Sequence, residues 1–241
     1  MVEGNVDRRI VSREEWLEAR TRLLEKEKQF TRLQDELNAE RRGLPWVKID
    51  KEYLFDGPNG KETLGDLFEG RSQLMVYHFM FAPEANAGCP HCSLRADCFD
   101  GINIHLKQRD VTMIAVSRAP VEKLSAYKQR MGWGFKWVSS GGMDFNYDFD
   151  FSFTSEQIAA GKAFFNYKFQ NPGPLDREGH SVFYKDEHGD IFHTYACYVR
   201  GNEPFNIHYH YLDIVPKGRN ENGKGPFWVR RRDEYPAPTS A

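Results

Sequence analysis

An almost unbroken apolar run, Gln73-Leu74-Met75-Val76-Tyr77-His78-Phe79, leads through a loop at Ala82 to Gly88 into Cys89-Pro90-His91-Cys92, and this order constrains the fold more than any other feature. Such a run suits a strand buried on both faces, because neither face needs polar residues for water. Ser93 to Lys107 reads as a helix, and Val111-Thr112-Met113-Ile114-Ala115-Val116 as a second buried strand. The segment is therefore a strand–helix–strand unit, with parallel strands and a right-handed crossover.

The cysteine pair lies where that helix begins. A thiol attacks a disulfide as its thiolate, and unpaired N–H groups at a helix start favour an anion. Cys89 would be the accessible nucleophile, and Cys92, one turn further in, the shielded resolving thiol. Pro90 suits an early position with no intrahelical N–H bond to lose. A protonated His91 and the guanidinium of Arg95 are expected to add positive charge and lower the thiol pKa. A more acidic thiol stabilises the reduced form and makes the couple more oxidising.

Other readings of the cysteines carry less. Four are too few to staple a chain of 241 residues, and Cys98 and Cys197 stand apart from the pair. On one continuous helix, Cys98 would lie on the face opposite Cys89, about 13 Å along the axis, so Cys98 and Cys197 are expected to be buried structural thiols. A zinc site would need two more ligands; His208 and His210, sharing a face of an expected strand, are the best candidates, and no metal or cofactor is expected. His78, His180 and His193 read as core or satisfied polar residues.

Around this centre the chain divides into a helical arm at residues 1–43, a main domain at 44–215 and a polar extension at 216–241. In the arm, Ser12 and Glu15 form a capping box, and Trp16, Leu23, Phe30 and Leu37 recur every seven residues, widened by Leu24 and Leu33. About 30 helical residues span about 45 Å, enough to lie across the chain's own domain or to reach a second subunit as a homodimer. Ala119-Pro120 opens a helix through Met131, and Phe135 to Ser140 reads as a third strand. From Phe145 to Phe153 aromatic and polar residues alternate, as in an extended segment with five rings on one face. Ser155 to Gly179 reads as an insertion. Ser181-Val182-Phe183-Tyr184 and Ile191-Phe192-His193-Thr194-Tyr195 form a hairpin across Gly189. Arg230-Arg231-Arg232 is expected to be solvated in the extension.

A formal charge of -2, with 40% hydrophobic and 28% charged residues, gives no electrostatic footprint for nucleic acid. Met1 to Ile10 is polar and no run approaches the length of a membrane span, so the expectation is a cytoplasmic protein.

Several stretches resemble a known family: Val11-Ser12-Arg13-Glu14-Glu15-Trp16-Leu17, Leu44-Pro45-Trp46-Val47, Tyr77-His78-Phe79-Met80-Phe81, Gly88-Cys89-Pro90-His91-Cys92-Ser93, Val116-Ser117-Arg118-Ala119-Pro120, Asp144-Phe145-Asn146-Tyr147-Asp148-Phe149 and His193-Thr194-Tyr195. The family is the thioredoxin-like one catalogued as domain of unknown function eight-nine-nine, and the resemblance runs from about Val11 to Arg219. It implies an α/β thioredoxin-like fold, a central mixed sheet flanked by helices, carrying the helical arm and an insertion before the C-terminal hairpin. It also implies a dithiol–disulfide oxidoreductase with Cys89 and Cys92 at its Cys-Pro-x-Cys position. Two departures stand out. Thioredoxins proper place a cis-proline before the strand facing the dithiol, where this chain has Gly179-His180. Peroxiredoxins use Pro-x-x-x-Thr-x-x-Cys, where this chain has Ala82 and Asn86.

The expected activity is thiol–disulfide exchange with a protein or small-molecule disulfide, the electron donor being unspecified. The rival readings are a non-enzymatic binding or scaffold protein on the same fold and, more weakly, a thiol peroxidase.

Overall fold

Helix α1 (Arg13–Arg42) starts where Ser12 Oγ accepts from Glu15 N at 3.2 Å while Glu15 Oε2 accepts from Ser12 N at 3.1 Å, each capping an end group the helix cannot pair itself. It stops at Gly43, and none of its residues is buried. The computed structural model describes residues 9–236; the first eight residues of the polar N-terminal stretch and the last five of the C-terminal extension lie outside them. α1 and Glu221–Gly225 belong to one compact unit, and Trp46–Asn220 with the chain from Pro226 onward to another.

The second unit is built on a sheet. After β1 (Val47–Lys48), β2 (Leu54–Gly57) and β3 (Gly60–Thr63), the apolar run becomes β4 (Gln73–His78). Two helices, α2 (Pro90–Ala96) and α3 (Phe99–Lys107), connect it to β5 (Val111–Ser117); α4 (Val121–Met131) then leads to β6 (Trp137–Ser139). Short helices α5 (Phe145–Asp148) and α6 (Ser155–Ala159) and the separate hairpin of β7 (Ala163–Phe165) and β8 (Lys168–Gln170) fill the insertion. β9 (Gly179–Lys185), β10 (Ile191–Tyr198) and α7 (Ile207–Ile214) follow. The eight strands of the main sheet run β1-β10-β9-β4-β5-β6-β2-β3.

β5 pairs in parallel with β4 and β6, while β9 pairs antiparallel with β4. A parallel strand–helix–strand unit joined through its first strand to an antiparallel hairpin is the thioredoxin-like arrangement, here with the helical arm and the insertion. Alternate residues supply the two faces of the sheet, as the pleat requires. Leu74, Val76, Ile114 and Val116 join Phe55, Phe145, Phe151 and Phe183 on one side. Tyr77, Met113 and Ala115 join Cys92, Phe99, Trp133 and Trp137 on the other.

Four local expectations are corrected. Ser93 to Lys107 is not one helix: it breaks at Asp97 and Cys98, and Cys98 is half-buried rather than buried. Phe145 to Phe153 is not extended, because Asp148 N and Phe149 N bond the carbonyls of Asp144 and Phe145 at 2.8 and 3.2 Å, closing a helical turn. Its Phe145, Phe149, Phe151 and Phe153 rings still enter the core, and Tyr147 stays half-buried. His208 and His210 lie on α7, where residues two apart diverge instead of sharing a face. Arg231 is not solvated: its guanidinium bonds Gly88 O at 2.7 and 3.0 Å.

Candidate functional site

β4 ends at His78, and the chain then climbs through a loop to the cysteine pair. Cys89 N donates to Met80 O at 3.1 Å, tying that loop back on itself. Gly88 fits because an added Cβ would lie 2.6 Å from the Phe79 ring and 3.0 Å from Tyr127. Cys89 is the N-cap of α2, and Pro90 takes its first turn. Cys89 is half-buried, whereas Cys92 is fully buried; both are free thiols.

The thiols differ sharply in acidity. A hydrogen bond from the Cys92 thiol pulls the Cys89 pKa down, burial opposes it, and bonds from His91 and the Cys92 backbone N–H add to the pull, leaving it at about 5. His91 is raised in turn, chiefly by its bond to Cys89. Burial, together with the hydrogen bond to Cys89 and its charge, holds Cys92 well above the ordinary thiol range. α2 has only seven residues. The acidity of Cys89 therefore comes from individual hydrogen bonds, one of them from a first-turn N–H that α2 cannot pair itself.

The other half of the site arrives with β9. Leu175 O and Arg177 N pair with Phe153 N and Phe151 O at 2.9 and 2.8 Å, guiding the chain toward the start of β9. Gly179 then pairs with His78, so β9 begins beside the end of β4. A Cβ on Gly179 would fall 2.3 Å from both Cys197 O and the Phe151 ring, so the approach requires glycine. Glu178 is thereby carried to the dithiol, its Oε2 3.2 Å from Cys92 Sγ, so that the Cys89 thiolate and the carboxylate are alternative acceptors for the single thiol proton of Cys92.

Glu178 is held from three sides. Arg95 Nη1 donates to Glu178 Oε2 at 2.7 Å and Nη2 to Oε1 at 3.3 Å. The Tyr77 hydroxyl donates to Oε2 at 3.1 Å. Burial pushes the Glu178 carboxyl up, but the Arg95 charge and the bonds from Arg95, Cys92 and Tyr77 outweigh it and keep it below the ordinary range. Asn206 Oδ1 accepts from Arg95 Nη2 and Nε at 2.7 and 3.0 Å, fixing the guanidinium.

Of the residues singled out from the sequence, Cys89, Pro90, His91 and Cys92 come together as one turn. Arg95 lies behind them with its side chain 5% exposed, its charge directed at Glu178 and Tyr77 rather than at Cys89. Sequence reasoning misses Glu178, Tyr77 and Asn206. The signal available for Glu178 is its place just ahead of a strand that pairs with the central one. His91 Nε2 lies 3.3 Å from Pro226 O, and Arg231 holds the carbonyl preceding Cys89, so the segment after Pro226 lines this side of the motif.

A family model described as "Bacterial protein of unknown function (DUF899)" matches residues 5–235. No curated protein matches. Among solved structures, peroxidoxin BcpB from Mycobacterium tuberculosis is similar at 10% identity and a TM-score of 0.46, over 68% of this chain and 94% of that one. PrxQ from Xylella fastidiosa is similar at 16% identity and a TM-score of 0.43, over 66% and 89%. Bacterioferritin comigratory protein from Xanthomonas campestris has the same identity and TM-score, over 66% and 90%. Among the described residues, no helix is long and apolar enough to cross a membrane.

Proposed function

The chain belongs to the DUF899 family of bacterial proteins of unknown function, and from the chemistry of its site we propose that it is a cytoplasmic thiol–disulfide oxidoreductase that transfers two electrons from Cys89 and Cys92 to a protein or small-molecule disulfide. The observation that carries the reading is the contrast between an acidic, half-buried Cys89 and a buried Cys92 whose sulfur lies 3.2 Å from a carboxylate.

With a pKa of about 5, Cys89 is a thiolate at neutral pH. It attacks one sulfur of the substrate disulfide; a Cys89–substrate disulfide forms, and the second substrate sulfur leaves as a thiolate that takes a proton from solvent. That step removes the negative charge from Cys89. Its charge and hydrogen bond were, after burial, the main causes holding Cys92 protonated, so Cys92 becomes more acidic only once it is needed. Glu178 accepts the proton as Cys92 attacks Cys89, the Cys89–Cys92 bond forms and the remaining substrate thiolate departs. Arg95 and Tyr77 keep the carboxylate aimed at Sγ. An external thiol reductant then returns two electrons and the one proton that Cys92 carries, Cys89 being left again as a thiolate.

Reduction of an aromatic disulfide and of a protein disulfide, with a dithiol as donor, tests the reading. Cys89→Ser is expected to abolish turnover, and Cys92→Ser to leave a substrate adduct on Cys89 detectable by mass. Full turnover by Cys89→Ser would overturn the proposal.

A further inference from the structure

α1 carries an apolar stripe with no cover inside its own helix. Trp16, Leu23, Phe30, Leu33 and Leu37 are 52, 51, 67, 61 and 44% exposed. Trp16, Leu23, Phe30 and Leu37 mark position a of a heptad, and Leu33 falls at d. The sustained seven-residue spacing is the pattern that keeps one seam facing a second, supercoiled helix.

The flanking charges select the occupant and its direction. With Trp16 at a, the g positions include Glu15, Arg22 and Gln29, and the e positions Arg20, Glu27 and Gln34. In a parallel pair in register, each g residue faces the e residue of the following heptad on the other strand. Glu15 then meets Arg20, Arg22 meets Glu27, and Gln29 meets Gln34, every charged pair being of opposite sign. Arg20 and Glu27 also bridge along the helix at 2.8 Å, so the cross-strand pairs extend an existing row of alternating charge. An antiparallel pair with Leu23 set on Leu33 would place Glu27 against Glu27. Lys26 and Glu40 interrupt the d row. In the parallel pair the stem of Lys26 lies along the seam and its ammonium reaches Glu27 of the second copy, whereas Glu40 only weakens the association.

We propose that α1 pairs with α1 of a second copy of this chain as a parallel two-stranded coiled coil, making the protein a reversible homodimer. This holds or fails independently of the dithiol chemistry.

Sedimentation equilibrium of the full chain from about 1 to 100 μM reads the association directly, over the range where a short coil of this kind assembles. Dimerisation is expected, weakened ~100-fold or more by the double substitution Leu23→Glu with Phe30→Glu, since each buries a charge in the seam. A second variant, Leu23→Cys, reports direction through oxidative cross-linking with peptide mapping of the bond. A link between the substituted positions of two Leu23→Cys chains supports the parallel seam. A monomer at every concentration, a dimer unaffected by the double substitution, or a link that forms only when Leu23→Cys is mixed with Leu33→Cys would each overturn the proposal.

Discussion

The stretch Asp176-Arg177-Glu178 sends two carboxylates to two arginines, the half-buried Arg118 and the buried Arg95, with different results. Asp176 accepts from Arg118 Nε and Nη2 at 2.6 and 3.0 Å and from Ser152 Oγ at 2.6 Å, side chains that have no proton to give at neutral pH. Glu178 accepts from Arg95 and Tyr77 and, on the same Oε2, from a thiol. Both pairs neutralise charge in the interior, and breaking either leaves an arginine short of a partner. Only the second couples that neutralisation to a group able to lose a proton and form a bond. The difference teaches that an ion pair becomes chemical machinery through its third neighbour: at Asp176 a hydroxyl that holds the geometry, at Glu178 the sulfur of Cys92.

The largest effect expected on either side is on stability. Asp176→Asn removes the carboxylate charge from beside Arg118, whose side chain is 15% exposed, and leaves it the neutral Tyr147 hydroxyl at 3.2 Å. Breaking a buried pair in this way costs about 3–5 kcal/mol. Urea unfolding of the reduced protein should register that loss while the pH midpoint for alkylation of Cys89 stays near 5. A midpoint that moved with Asp176 would mean the two pairs are one network.

Glu178→Gln should add a chemical effect to a comparable loss. Arg95, 5% exposed, keeps the neutral acceptors Asn206 Oδ1 and Tyr77 OH but loses its counter-charge, so stability should fall by about 3–5 kcal/mol here too. Proton transfer from Cys92 loses its acceptor, and the resolving step should slow by about 100-fold, within the range for general base catalysis. Rapid acid quench followed by mass measurement should find the Cys89–substrate adduct accumulating, with the first attack little changed. An adduct that resolved at the parent rate would reduce Glu178 to a structural partner like Asp176.

The contrast between these regions explains how much the sequence could yield. β4, β5, the cysteine turn and the β9–β10 hairpin are governed by local pattern: a buried strand needs a continuous apolar run, a first helical turn tolerates proline, and a short loop with Gly189 reverses the chain. The thioredoxin-like architecture follows from those pieces in order. Phe145 to Phe153 misleads because period two shows that the rings share an environment, while the backbone gets them there through a helical turn and a left-handed Asp150 at φ 60°. The break at Cys98 likewise leaves no mark in the apolar spacing of Ser93 to Lys107. Glu178 is legible only through its place just ahead of β9: 86 residues separate it from Cys92, and its contact with the thiol is made only when β9 pairs with β4. His91 shows the opposite case, a neighbour whose effect on Cys89 can be read from the motif itself.

His91 gives the smallest and most selective test of the thiol side. A thiol whose folded pKa is about 5, against an ordinary value near 8.5–9, favours the folded state. The contribution is fully present above the unfolded value and is lost as the pH falls through the folded one. The reduced protein should therefore gain stability between about pH 5 and pH 9, a gain the oxidised protein lacks because its sulfurs no longer titrate. His91→Ala removes one of the bonds lowering Cys89 and leaves those from Cys92 in place. It should move the alkylation midpoint up toward the ordinary thiol range, slow alkylation several-fold near about pH 5.5, where the parent is mostly thiolate, and flatten the pH dependence of stability in the reduced form only. Neither Arg118 nor Asp176 should respond, because no titrating sulfur faces them. If both redox forms lost stability equally, His91 would be acting through its contact with Pro226, and the acidity of Cys89 would have to come from Cys92 alone.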